Sequence, residues 1–567
     1  MTNKYSIEVV LAPEGLEVLK INGYYTHSRF KPLEEAETFV GKNYQKQTVH
    51  ILFGYGSGYI VEAFRNKLKE DDCLVVIDPI IENFNIYSDK IVYINSKDIK
   101  EVKEKLNSLF NVTQQIKVIC SPNYDKICND FYTDILRVIK DKLMMDKSNE
   151  NTIVQSSTIW QKNFLDNLIN LTIDQSLEVL MNSYNMPVIV ASGGPSLTKQ
   201  LPLLKVNREK FIIIAAGSTI NSLLEDGIEP DYVVSIDGGE ANYLHFKDLK
   251  LSKHTKFIYS MYSHSEIRKC FKSSAYYFVS DDTPDNLAYL EDVLNVNAMM
   301  LPSNGTVAQF AFHIATLIST GPVAFIGQDL AYTNNESHAK NNRLYTEYNN
   351  DLKNNPNVTY ATGYYDDEVL TNYTFLSMRD GLEKLAKELS IQTDIYNCTE
   401  GGIKINGIKQ LSFAEFCEKY AVNNQVVASN NQKNCEQILT KNKLINQLDT
   451  EVELYKKIQN ILRENLILIK RNKSDYFFEK SILNQLDRND KKLLKYRQRT
   501  ALCVSYNPVW INVLKNFKEK NHETEQEAYL RVKSQNNTLY SSLIEVTSYT
   551  QNYTKKVLAN LKEKTNE

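Results

Sequence analysis

Apolar positions along this chain fall into three textures. Over residues 1 to about 150, short β-branched runs alternate with amphipathic stretches. Val49-His50-Ile51-Leu52-Phe53 and Cys73-Leu74-Val75-Val76-Ile77 read as buried strands, with an amphipathic helix from Tyr59 to Lys67 between them. Residues 151–410 repeat the scheme, with strands expected at 187–191, 211–215, 232–236, 299–301 and 323–327. Each of those runs closes in a polar turn, as the strands of a parallel sheet do. Beyond Gly407 there is no glycine and one proline, Pro508. There the apolar spacing is helical: Leu444, Ile445, Leu448, Val452, Leu454, Ile458, Ile461, Leu462. The pattern predicts an α/β protein with two Rossmann-like α/β domains, N-terminal (1–150) and central (151–410), followed by a C-terminal all-helical domain (411–567).

Composition narrows the function classes. Across 567 residues, 42% apolar and 24% charged side chains with a net charge of −3 describe a globular chain. A charge this close to neutral gives no global attraction to nucleic acid or anionic membrane. The most apolar stretch, 311–327, is broken by His313, Thr316, Ser319, Thr320, Gly321 and Pro322, so no membrane span is expected. The N-terminus lacks the apolar core of a signal peptide, and the eight cysteines include no CxxC pair. Reduced thiols in the cytoplasm, and no zinc site, are the expectation.

Two turns carry candidate chemistry. Gly54-Tyr55-Gly56-Ser57-Gly58 follows the first strand, and Asp78 ends the next one. This outlines a Rossmann nucleotide or S-adenosylmethionine site, or else a tight strand-to-helix turn and nothing more. In the central region Ser192-Gly193-Gly194-Pro195-Ser196 leads from a strand into a helix. Two glycines permit close backbone approach, Pro195 presets the first helical turn and Ser196 supplies a hydroxyl. Free N–H groups there would favour a phosphate; the alternative is an ordinary capped turn. The arrangement recurs at Gly217-Ser218-Thr219, at Asp237, at Ser303-Asn304-Gly305-Thr306 and at Gln328-Asp329, with Tyr332 just beyond. Strand ends this rich in hydroxyl, amide and carboxylate groups suit a nucleotide-containing substrate.

These blocks, ASGGPSLTKQLPLLK, IIIAAGSTINSLLEDGIEPDYVVSID, PSNGTVAQFAFHIATL and FIGQDLAYTNNESHA, resemble the central domain of the motility-associated factor (Maf) proteins. The resemblance extends to HSRFKPLEEAE, FGYGSGY and NCTEGGIKING, over residues 20 to 410 in scattered blocks. It implies a flagellin glycosyltransferase that attaches a nonulosonic acid such as pseudaminic or legionaminic acid. That central domain is similar in turn to bacterial sialyltransferases, which use a CMP-activated sugar. Here Gly193 and Gly194 are adjacent where the sialyltransferase signature places Asn between the glycines. A related branch comprises archaeal 6-hydroxymethylpterin diphosphokinases, which use ATP.

The resemblance implies roles. Leaving-phosphate contacts are expected from Gly193, Gly194, Pro195 and Ser196, with Ser303, Asn304, Thr306 and the Tyr332 hydroxyl; Gly305 and Gln328 complete the donor set. Ribose and base contacts fall to Gly217, Ser218, Thr219 and Asp237, the alternatives for Asp237 being to hold a metal or cap a turn. His338, in the polar loop after Asp329, is the expected base; Asp329 would orient it, coordinate a cation or simply end its strand. His245 and His264 stay open, and His313 reads as packed in a helix. No firm cofactor is expected, the CMP-sugar being a substrate, and metal dependence is left open. Flagellin is the expected acceptor, with Lys491-Lys492 and Arg497 to Arg499 on the helical tail as docking candidates. The alternatives are a nucleotide-dependent pyrophosphokinase-like transferase on the same domain, and a non-catalytic flagellin chaperone or assembly factor.

Overall fold

The computed structural model describes residues 5–109, 115–281, 284–302, 305–348, 352, 355, 357–389, 393–422, 439–519 and 523–566. Contacts group the chain into two units. One comprises Met1–Gln155, Glu464–Asp487 and Pro508–Ser542; the other comprises Ser156–Arg463, Arg488–Asn507 and Leu543–Glu567. The expected boundary at residue 150 falls inside a single helix, Asn129–Asn167. Nothing in that stretch breaks a helix, so no local signal marks the border between the units.

The N-terminal unit opens with a small antiparallel sheet of β1 (Ile7–Leu11), β2 (Glu17–Ile21) and β3 (Tyr24–Tyr25). A parallel sheet follows, built of β4 (Thr48–Phe53), β5 (Cys73–Ile77), β6 (Ile91–Ile94) and β7 (Gln115–Cys120) in the order β6-β5-β4-β7. All six residues of β4 are buried. An unbroken apolar run in a parallel strand means both faces are covered, and that is what β4 shows.

The central sheet has ten strands: β8 (Gln175–Ser176), β9 (Val188–Ala191), β10 (Ile212–Ala216), β11 (Tyr232–Ser235), β12 (Lys256–Ser260), β13 (Ala275–Ser280), β14 (Met299–Leu301), β15 (Val323–Ile326), β18 (Ile395–Asn397) and β19 (Lys409–Gln410). Every pairing in it is parallel. The order is β14-β13-β12-β11-β10-β9-β15-β18-β19, with β8 beside β13. The chain thus builds outward from β9 as far as β14. It then returns through the helix Val307–Ile318 to lay β15 on the other side of β9. That reversal puts the switch in strand order at the carboxyl ends of β9, β10 and β15, where open α/β sheets bind ligands. A hairpin, β16 (Val358–Thr362) and β17 (Glu368–Asn372), is inserted between β15 and β18.

Apolar side chains cover both faces of this sheet. One face packs the helix Val307–Ile318 and residues Leu382, Leu385 and Ala386. The other packs Leu197, Leu201 and Leu204 together with Leu444, Leu448, Leu558 and Leu561 from the C-terminal helices. The expected helical tail is present as Phe413–Tyr420, Lys441–Arg471, Lys480–Arg497, Cys503–Asn516 and Glu525–Asn566, and its residues are shared between the two units. Among the described residues, no helix is long and apolar enough to cross a membrane.

Candidate functional site at the strand-order switch

Three turns meet at the tip of β9. Ala191 lies opposite Ala215 of β10 on one side and Ile326 of β15 on the other, so the segments that follow leave the sheet together. The Gly194 N–H donates to the Gly327 carbonyl at 2.8 Å. A Cβ on Gly194 would sit 2.2 Å from Asp329 Oδ2 and 2.5 Å from the Gly327 oxygen, so only glycine permits this approach. A Cβ on Gly193 would reach Thr219 Oγ1 at 3.4 Å and the His338 ring at 3.6 Å. Gly193, Gly194, Ser196, Thr219, Asp329 and His338 are therefore one cluster, although 145 positions separate the first from the last.

Asp329 locks this cluster. It is 1% exposed, and it accepts from the Ser196 hydroxyl at 2.6 Å, the Ser196 N–H at 3.2 Å and the Thr333 hydroxyl at 2.7 Å. Burial raises its carboxyl above the usual range, opposed by those same hydrogen bonds. Its backbone carbonyl accepts from Ile403 N–H at 2.8 Å, and Gly401 and Gly402 pack against it from the segment after β18. The next residue, Leu330, has φ of +51°, a strained value for leucine; the Thr371 hydroxyl holds its carbonyl at 2.7 Å.

Two of the alternatives left open by the sequence are narrowed by these contacts. The amides of Gly194 and Ser196 are spent inside the protein and Pro195 has none, which leaves the Gly193 N–H as the remaining amide of this turn. The Asp329 oxygens engage Ser196 and Thr333, and His338 Nδ1 pairs instead with Ser337 Oγ at 3.1 Å. Asp329 is a lock between two turns, not the partner of His338. The physical reason is burial: a carboxylate this enclosed needs several donors, and the nearest are the hydroxyls beside it.

His338 is half-buried above the Gly193 turn, anchored by the Ala339 N–H donating to the Gly193 carbonyl at 2.9 Å. Burial pushes its imidazole below the ordinary value; a hydrogen bond to the Leu344 carbonyl opposes this and the nearby His245 adds to it. That direction favours the neutral ring, the form a proton acceptor requires.

The remaining expected residues lie on the neighbouring strand ends. Ser218 is half-buried and Gly217 packs on Val307, which follows Thr306. Thr306 N-caps the helix Val307–Ile318 in a capping box with Gln309, so its hydroxyl already has a structural task. Gly305 is exposed, with φ of +85°. Asp237 is exposed to solvent yet ringed by protein, and that crowding raises its carboxyl. Its carbonyl is bonded by the His264 N–H and by Asn242. His264 stacks on Tyr243 and pairs with Glu240 at 3.2 Å. The Gln328 N–H is held by the Thr399 hydroxyl, while its buried Oε1 has no partner. The Tyr332 hydroxyl accepts from Asn372 at 2.8 Å and so belongs to the contact with the hairpin. Ser303 and Asn304 lie outside the described residues. Thr333, Asn342, Thr399 and Gly401 also belong here and went unread in the sequence, where only the NCTEGGIKING resemblance hinted at the last two. No group of three or more His, Cys, Asp or Glu suited to a metal ion occurs among the described residues.

The N-terminal glycine turn differs. Asp78 is fully buried and accepts from the Tyr55, Ile80 and Ile81 N–H groups and from the Tyr124 hydroxyl. The Gly56 N–H donates to Tyr124 Oη at 3.0 Å, and the Tyr124 ring lies 2.4 Å from where a Cβ on Gly54 would be.

Comparison with known proteins follows this anatomy. Residues 162–335 match a family model described as 6-hydroxymethylpterin diphosphokinase MptE-like. An uncharacterized protein of Treponema pallidum (strain Nichols) is 17% identical over 215 residues, 35% of this chain and 73% of that protein. A solved structure of a Maf glycosyltransferase from Magnetospirillum magneticum AMB-1 superposes with a TM-score of 0.52 at 12% identity, covering 98% of this chain and 91% of that one. The resemblance read from scattered sequence blocks is thus matched, at the level of the fold, along nearly the whole chain.

Proposed function

We propose that this protein is a glycosyltransferase that moves a nonulosonic acid, legionaminic, pseudaminic or a related sugar, from a CMP-activated donor to Ser or Thr of flagellin in the cytoplasm. The observation that carries the reading is the fold shared with a Maf glycosyltransferase over 98% of the chain. The site chemistry supports it. A sugar joined through its anomeric carbon departs with positive charge developing on the ring, and the acceptor hydroxyl must lose its proton. A neutral His338 over the Gly193 turn is suited to take that proton. The Gly217-Ser218-Thr219 turn and Asp237 are suited to nucleoside hydroxyls. Asp329 acts on neither substrate; it fixes the turn on which His338 rests.

The test is intact-mass analysis of flagellin co-expressed with this protein and a pathway supplying a CMP-nonulosonate. Flagellin should gain whole nonulosonic-acid increments, and His338→Asn should abolish the gain. An unchanged flagellin mass with the donor demonstrably present would overturn the reading.

The match of residues 162–335 to a diphosphokinase-like model favours a second reading, transfer of pyrophosphate from ATP. It predicts ATP binding that depends on magnesium and no affinity for CMP compounds, which calorimetry with each nucleotide separates.

A further inference from the structure

At the Gly193 turn and in the segments next to it, several buried polar atoms are left unused by the roles above. Asn342 is 4% exposed and its Nδ2 has no hydrogen-bond partner. Its Oδ1 accepts from the Leu344 N–H at 2.9 Å, which fixes the carboxamide with Nδ2 toward the turn. There Nδ2 lies 3.0 Å from the point a Gly193 Cβ would occupy. Ser192 Oγ, one residue earlier, is also buried and unpartnered. So is Nδ1 of His245, at the end of the helix Glu240–Leu244. Arg343 follows Asn342 directly and donates to the Leu244 carbonyl, which brings its guanidinium to the same helix end. No carboxylate pairs with Arg343 among the described residues. The nearest acid on that helix, Glu240, is taken by His264.

Buried amide donors are normally paired, because an unpaired one keeps the full cost of its desolvation. A protein retains such a cost where a ligand supplies the missing acceptor. The unfilled groups here are an amide N–H, a hydroxyl, an imidazole nitrogen and an uncompensated guanidinium, a set that suits an oxyanion. We infer that Asn342, Arg343, His245 and Ser192 form a subsite for an anionic oxygen group of the ligand lying over the Gly193 turn. Two sources fit this chemistry, the carboxylate of a sugar acid and a phosphate of the nucleotide. The inference deepens the transferase reading, and its test keeps the two apart.

Titration calorimetry of the full chain with CMP, CMP-N-acetylneuraminic acid and magnesium ATP provides the test, on wild type, Asn342→Asp and Arg343→Gln. Asn342→Asp retains the acceptor for Leu344 and places a negative charge in the subsite. Arg343 is exposed, so its variant leaves the core intact. If the group bound is the sugar carboxylate, both variants should bind CMP-N-acetylneuraminic acid at least tenfold more weakly and CMP as wild type does. If it is a nucleotide phosphate, CMP should weaken by the same factor. Unchanged affinity in both variants overturns the subsite while leaving the transferase reading in place. Binding of ATP alone overturns the transferase reading; the subsite then stands if Asn342→Asp weakens ATP tenfold, and falls if it does not. Binding of none of the three overturns both.

Discussion

The two glycine turns of this chain begin alike and end differently. Each follows a fully buried parallel strand and opens a helix, and a carboxylate from another strand end enters each one. In the N-terminal unit the carboxylate, Asp78, and the Tyr124 ring fill the turn, so that the Gly54, Tyr55, Gly56 and Gly58 amides are all bonded within the protein. In the central unit Asp329 binds one side of the turn only. On the other side stand His338 and Asn342, the Nδ2 of Asn342 being unpartnered. A Rossmann-like spacing therefore specifies close backbone approach, and what approaches is decided by residues far away in sequence. At the first turn it is a tyrosine of the same chain; at the second it is Asp329 on one side and His338 and Asn342 on the other.

The contrast is sharpest at Gly194. Replacing it with Val places branched carbons on the Asp329 carboxylate and the Gly327 carbonyl, neither of which can withdraw. The central unit should lose more than about 4 kcal/mol, read as early urea unfolding or insoluble expression. His338→Asn should instead leave the urea midpoint unchanged and cut transfer rate by roughly 10²–10⁴-fold, the range for a lost general base. An equal loss of stability in that variant would mean His338 is packing, and the comparison between the turns would fail.

Acid should act on the N-terminal unit through another histidine. His50, buried in β4, is lowered from 6.5 to about 4 by desolvation. Its folded value is depressed, so as pH falls below about 6.5 the unfolded chain binds a proton that the folded chain refuses. Stability should fall by about 3 kcal/mol in all as pH approaches 4. Urea melts at pH 7 and 4.5 should show this slope, and His50→Phe should flatten it. The smallest effect belongs to Tyr124→Phe. It strands the Gly56 N–H and removes one of the two donors to Asp78 Oδ2, the Tyr55 N–H remaining, at a cost of about 1–3 kcal/mol. The transfer proposed above should be unaffected; a lost activity would give the N-terminal turn a ligand after all.

Much of the central site was legible because strand ends are local. The residues after β9, β10, β11 and β15 could be picked out by polarity alone, since a parallel sheet gathers them on one edge. What local reading cannot supply is strand order. β18 lies against β15, and this brings Gly401 and Thr399 to Asp329 and Gln328; nothing in NCTEGGIKING states that neighbour. Asn342 sits in a polar loop whose sequence does not distinguish it from Asn341, and only burial does so. Asp329 was recognised with three tasks left open, because its partners Ser196 and Thr333 emerge only once both turns are in place. Strands β12 and β13, rich in Tyr and Phe and lacking glycine turns, escaped the reading altogether.

The leucines that the last helices send under the central sheet bear on how the protein can be dissected. Leu444, Leu448, Leu558 and Leu561 help to close one apolar face of the layer that carries His338. Removing the region after residue 430 to ask whether it recruits the acceptor would strip that layer of its cover, and a silent fragment would report collapse rather than lost recruitment. Acceptor contacts on these helices have to be probed by charge reversal at outward positions such as Lys491 and Lys492. Arg497 is a poor choice, since it already grips Asp285.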